Sequence, residues 1–148
     1  MLMTDLEIQG ISNVMKNNGM ITDAICEKAK NVIPLTDEEI DLIALVTMAE
    51  AEGECELGKR LVIDTILNRV ESERFPDTVA DVIYAKNQFS SMWNGRVDRC
   101  YVRDDICELV RQEAMSRTNE DVLFFTSIGY LNFSEPLFQV GNHYFSTL

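Results

Sequence analysis

Residues 36–54 read TDEEIDLIALVTMAEAEGE, and two signals in this stretch decide the fold. Thr36-Asp37-Glu38-Glu39 has the pattern of a capping box, a threonine hydroxyl for the N3 amide and an N3 glutamate that reaches back. Behind it Ile40, Ile43, Ala44, Val46 and Thr47 predict a helix apolar almost all round, the pattern of an element central to a core. The helix is expected to run to about Ala51, with Gly53 as its stop. The second signal is Met48-Ala49-Glu50-Ala51-Glu52-Gly53-Glu54, which sets three carboxylates at alternate positions around one glycine. Helical spacing scatters alternate residues about the axis, so this is no ordinary acidic face.

Outward from that stretch, the pattern predicts further helices over Glu56–Val70, with Leu57, Leu61, Ile63, Ile66, Leu67 and Val70 inward, and over Val79–Tyr84 behind the Phe75-Pro76-Asp77-Thr78 turn. Residues 86–102, KNQFSSMWNGRVDRCYV, lose periodicity and mix polar with aromatic side chains, which predicts a functional loop. Asp104–Arg117 is again helical. Val122–Phe125 and Phe138–Val140 read as strands, and Gly141-Asn142 reads as a turn before His143-Tyr144-Phe145. Upstream, residues 1–35 predict a small appended helical pair, stopped by Asn17-Asn18-Gly19 and Pro34. The expectation is therefore an N-terminal extension (1–35) and one α+β domain (36–148), mainly helical, with a small antiparallel element near its C-terminus.

The chain has 148 residues and a formal charge of −12, of which −11 falls on residues 36–148, because residues 1–35 hold four acids and three bases. That balance disfavours nonspecific nucleic-acid binding, which needs a basic patch, and docking on anionic lipid. The longest apolar run, Leu42–Val46, is too short to span a bilayer, so no membrane insertion is expected. The opening MLMTDLEIQG lacks the basic and long apolar regions of a signal peptide, which predicts synthesis in the cytoplasm without an export signal. Cys26, Cys55, Cys100 and Cys107 have no CxxC spacing, and reduced, mostly buried thiols are expected. No cofactor is implied. For metals, Asp98, Asp104 and Asp105 lack the spacing of a calcium loop, and a solvated face explains them better.

A carboxylate in the last turn of a buried helix meets the negative end of the helix dipole, at a cost of roughly 0.3–1 kcal/mol, and apolar neighbours add desolvation. Both favour the protonated acid, and a general acid works best with its pKa near the working pH. Glu50 sits deepest in that turn and is the candidate catalyst. Glu52 lies about 200° further round and faces elsewhere, by helical geometry. Glu54, beyond Gly53, is placed to accept backbone N–H groups at the start of the next helix. The competing reading is that acids collect between helices because such turns are wet.

In its ordered motifs the chain resembles the SleB/CwlJ-type cell wall hydrolases, the family of spore cortex-lytic catalytic domains. MAEAEGE resembles the family's EARGE-like motif, and Leu67-Asn68-Arg69-Val70 its LNRV. Phe75–Tyr84 is similar to FP-x-T-x-x-x-V-[IV]-Y, Gln88-Phe89-Ser90 to QFS, and Gly141–Phe145 to GxHxF. The resemblance covers roughly residues 38–146. It implies a lysozyme-like α+β domain that cleaves peptidoglycan between N-acetylmuramic acid and N-acetylglucosamine, several members being lytic transglycosylases. It implies Glu50 as the catalytic acid/base, and the glycan strands of spore cortex or bacterial wall as substrate, in a spore or a phage-borne setting. Where the family has arginine, this chain has Glu52, and Cys55-Glu56 replaces Pro-Tyr.

Gln88 and Ser90 are suited to hydrogen-bond acetamido groups, or alternatively to cap a loop. Trp93, with Phe89 in the same loop, is either a sugar-stacking platform or a core anchor. Glu54 is a candidate support. His143, the lone histidine, is structural or lines the cleft. A non-catalytic glycan-binding or interaction module that keeps the fold is the alternative function.

Overall fold

The computed structural model describes residues 32–148, so the helical pair expected in the first 35 residues falls almost wholly outside the described residues. Four helices follow in chain order: α1 (Asp37–Ala51), α2 (Glu56–Glu71), α3 (Val79–Tyr84) and α4 (Asp104–Met115). Between α3 and α4 the aperiodic loop carries two short 3-10 turns, Ser90–Met92 and Val97–Arg99. The chain then forms β1 (Phe124–Thr126), β2 (Glu135–Val140) and β3 (His143–Thr147). These make an antiparallel sheet in the order β1-β3-β2. Among the described residues no helix is long and apolar enough to cross a membrane.

The capping box forms as its sequence predicts. Glu39 N–H donates to Thr36 Oγ1 at 3.2 Å, and Thr36 N–H to Glu39 Oε1 at 2.9 Å. All five predicted inward residues of α1 are buried, and Met48, Ala49 and Ala51 join them. The helix stops without a left-handed glycine: Glu54 N–H turns back to Ala51 O at 3.0 Å, and Gly53 keeps an ordinary φ. The main core gathers α1, α2, α3 and α4 around Ile43, Ile66, Leu67, Ile83, Phe89 and Val110. A smaller core under the sheet joins Ala51, Leu61 and Val62 to Val122 and Phe145. Phe125 packs against both, so the sheet and the helices share one continuous interior.

The β1 strand begins two residues later than the Val122 start expected, because Val122 belongs to the core and the paired register with β3 runs over Phe124–Thr126, with Leu123 N–H adding one bond to the Ser146 carbonyl at 3.0 Å. The β2 strand starts earlier, at Glu135, and admits Pro136, which lacks an N–H and fits an edge strand with a bulge between Pro136 and Phe138. Cys55 is exposed, against the expectation of buried thiols, whereas Cys107 is buried; the three described cysteines are free.

α2 departs most from its sequence reading. Leu57, expected inward, is 45% exposed, whereas Asp64, Asn68 and Arg69 are buried. Periodicity assigns polar residues to solvent, but here residues 118–123 lie across that face and bond to it. Asn68 Nδ2 donates to the carbonyls of Asn119 and Val122 at 3.0 and 2.9 Å. Asp64 Oδ2 accepts Asn119 N–H at 2.9 Å. Glu113 on α4 accepts from Thr118 N–H at 2.7 Å and Arg60 at 2.8 Å.

Asp64 Oδ1 has no hydrogen-bond partner among the described residues, and the Glu113 carboxyl group is close enough to act on it electrostatically. Two neighbouring buried carboxyl groups cannot both carry a full negative charge cheaply, which favours a proton on one of them. Burial, reinforced by Glu113, pushes the Asp64 carboxyl from its ordinary 3.8 up to about 9; burial acts upward on Glu113 too, but the Asp64 side chain and the Thr118 and Arg60 donors outweigh it and hold Glu113 below its usual range. The folded chain thus holds this proton more tightly than the unfolded one. The stability it supports is complete below about pH 4 and is lost progressively as pH rises through about 9. Asp64→Asn, neutral at every pH, is expected to flatten that fall, whose slope is at most about 1.4 kcal/mol per pH unit. Urea-unfolding midpoints of both proteins between pH 5 and pH 9 check it; parallel curves would refute the retained proton.

Candidate active site

Five segments converge on one cleft of about 260 Å³. The last turn of α1 brings Glu50, and the end of α2 brings Arg69. The loop after α3 brings Gln88, Phe89 and Ser90; the end of β1 and the turn beyond it bring Phe125 to Ile128, and β3 brings His143. Among the described residues lining the cleft, Glu50 is the only carboxylate.

The carboxyl of Glu50 is held by a residue that the motif reading passed over. Ser91, not Ser90, is buried and donates its hydroxyl to Glu50 Oε1 at 2.6 Å. The 3-10 turn Ser90–Met92 divides the two serines, turning Ser91 in and leaving Ser90 exposed on the cleft rim. A doubled serine entering a tight turn was the available signal.

The α1 terminus has no basic residue in its own last turn. The cation comes instead from the loop. Arg96 Nε donates to the Ala49 carbonyl at 2.6 Å, and its guanidinium lies 3.5 Å from the Glu52 carboxylate. A guanidinium at a helix C-terminus offsets the negative end of the dipole. Glu52 therefore faces away from the cleft, as helical geometry expects, and its charge is paired.

Arg69, part of the Leu67–Val70 motif, takes no role in the sequence reading but holds one in the site. Only 5% exposed, it donates Nε–H to the Leu123 carbonyl at 2.7 Å and a terminal N–H to Gln88 Oε1 at 2.9 Å. Its guanidinium lies 4.9–5.3 Å from the ring centres of Phe75, Phe89 and Phe124. Burial pulls its pKa down to about 10, which leaves it cationic at neutral pH. Asn87, with φ 64, makes the left-handed turn that leads the chain into exposed Gln88.

The remaining predicted residues divide. Phe89 is 1% exposed and forms the cleft floor against Phe125. Trp93 is 64% exposed, its ring edge-on to Tyr84 at 6.3 Å, beside the cleft-lining set rather than in it. His143 is buried against Phe125 and Phe145, lines the cleft, and has no hydrogen-bond partner at Nδ1.

Glu54 lies outside the cleft. Its carboxylate accepts Asn142 N–H at 3.3 and 3.4 Å, so it ties the α1–α2 turn to the β2–β3 hairpin instead of capping α2, whose N-cap Cys55 has no side-chain bond. Gly141, at φ 57, is required twice over: the hairpin needs the left-handed backbone, and a Cβ there would fall on Glu54 Oε2.

A family model of cell wall hydrolases matches residues 53–146. The chain belongs to the cell wall hydrolase family. The family match opens three residues past Glu50, so it takes in the Arg69, Gln88 and His143 walls. A spore cortex-lytic enzyme of Halalkalibacterium halodurans is 38% identical over 76 residues, 51% of this chain and 23% of that enzyme. One from Bacillus cereus is 37% identical over 62 residues, 42% of this chain and 24% of the relative. The matched part thus spans about a quarter of the length of these curated relatives. The crystal structure of the catalytic domain of the Bacillus cereus SleB protein superposes with a TM-score of 0.67 at 25% identity, over 79% of this chain and 96% of that one. The catalytic domain of the germination-specific lytic transglycosylase SleB from Bacillus anthracis shares the fold, with a TM-score of 0.65 at 23% identity, over 78% of this chain and all of that one.

Gly141→Ala is expected to destabilise the domain by roughly 1–3 kcal/mol through backbone strain and collision with Glu54. A thermal midpoint unchanged from the parent would show that the Glu54 tether yields.

Proposed function

We propose that this chain cleaves the glycan strands of peptidoglycan between N-acetylmuramic acid and N-acetylglucosamine as a lytic transglycosylase, with Glu50 as acid and then base. The observation that carries the reading is Glu50 as the single carboxylate among the described residues that line the cleft. Retaining and inverting glycosidases need a carboxylate pair at a set separation. A transglycosylase does not. Glu50 gives its proton to the glycosidic oxygen as the C1–O bond breaks. The muramoyl 6-hydroxyl then closes on C1, and its proton passes to the Glu50 carboxylate. The products are a free 4-hydroxyl and a 1,6-anhydro end, with no water consumed and the acid regenerated.

In this mechanism Ser91 keeps the Glu50 carboxyl aimed. Gln88 and Ser90 on the rim, Trp93 beside it and His143 on the far wall hold the sugars. The Bacillus relatives include a spore cortex-lytic enzyme and a germination-specific lytic transglycosylase, which supports spore cortex as the first substrate to test, with vegetative wall second.

Mass spectrometry of soluble fragments from purified spore cortex and vegetative peptidoglycan tests this. The protein is expected to release anhydromuramic ends, and Glu50→Gln to lose at least roughly 10²-fold in rate. Reducing ends would mean hydrolysis and refute the ring closure. No fragments from either wall would leave a glycan-binding module. In the same assay Ser91→Ala is expected to lower kcat about tenfold with little change in KM, the share of one hydrogen bond to a reacting group.

A further inference from the structure

Gln88 is an exposed side chain on the cleft wall, yet its amide is not free to turn over. Its Oε1 accepts from Arg69 at 2.9 Å, and a guanidinium has donors only, so the oxygen end must face Arg69. Arg69 in turn is fixed by the Leu123 carbonyl and three aromatic rings, and it is almost wholly buried. No bond from Gln88 Nε2 to a described residue accompanies this one. The amide therefore presents its –NH2 away from Arg69. Apolar groups line the same cleft, Phe125 and Ile128 among them, and Ile128 is 91% exposed.

We infer that Arg69 is a positioning residue that sets Gln88 as a donor for the carbonyl of a sugar 2-acetamido group, so that the cleft selects N-acetylated over 2-hydroxyl glycans. Sugar hydroxyls both give and accept, whereas the acetamido oxygen only accepts. A fixed donor beside apolar side chains matches a group that carries an acceptor and a methyl together. A site built around a hydrogen bond rejects the analogue that lacks the partner. This rests on the glycan reading of the cleft, and it concerns which sugar is held, not how its bond is broken.

Calorimetry with the Glu50→Gln protein, which leaves ligands uncut, tests it with two neutral probes. Chitotetraose carries 2-acetamido groups and cellotetraose 2-hydroxyls. Chitotetraose is expected to bind roughly three- to tenfold tighter, the worth of one such bond. Adding Gln88→Glu keeps the acceptor for Arg69 and gains an ion pair with it, so the fold is retained, but the donor is gone. The preference should vanish while cellotetraose affinity stays within about twofold. Equal binding of both sugars, binding of neither, or a preference that survives Gln88→Glu would each overturn the inference. Arg69→Lys is expected to lose the preference and keep cellotetraose binding; loss of both together would make Arg69 a scaffold residue only. Anhydro fragments from walls without a sugar preference would sink this inference alone, whereas neither fragments nor binding would sink the proposed function with it.

Discussion

Arg69 carries a full positive charge in a site that is almost dry, and the domain is arranged around making that tolerable. Three aromatic faces surround the guanidinium, a main-chain carbonyl takes its Nε–H, and a side-chain amide takes another of its donors. An unpaired buried charge costs several kcal/mol, so each of these partners matters for its position as well as its presence. The consequence is geometric. Leu123 leads into the sheet and Gln88 belongs to the loop after α3, so one planar group holds the two sides of the cleft at a fixed spacing.

Glu50 answers to a complementary constraint. It ends a helix whose own sequence supplies no cation, and the loop facing it supplies Arg96 to the preceding carbonyl and Ser91 to the carboxyl. The aperiodic segment 86–102 is thus irregular because it must reach several separate points on α1 and α2, which no regular helix or strand can do. Arg96 and Glu52 are both half exposed, and such a pair adds little to stability by itself. Its role is to keep the loop seated.

Much of this was legible from local pattern. The capping box, the all-apolar α1 and the Gly141-Asn142 turn depend on neighbours within a few residues, and each formed where its sequence predicts. Glu50, Gln88, Ser90 and His143 do line one cleft. What stayed hidden depends on partners far along the chain. Asp64, Asn68 and Arg69 look like the solvent face of α2 until residues 118–123 are laid over them. Glu54 looks like a cap until a hairpin almost ninety residues later offers a better N–H. Ser91 differs from Ser90 only in which way a tight turn sends it. Periodicity measures a helix against water, and it misreads a face whose cover arrives from elsewhere.

The strand order β1-β3-β2 places in the middle the strand that comes last in sequence of the three. During synthesis β1 and β2 leave the ribosome with nothing to pair with, since neither is the other's neighbour. The sheet cannot form before residues 143–147 are present, because β1 and β2 both pair with β3. His143 and the seat for Glu54 arrive at the same stage. A nascent chain therefore carries Glu50 and the loop around it before it has a complete cleft, and the order of strands acts as a timer on when the cleft comes into being.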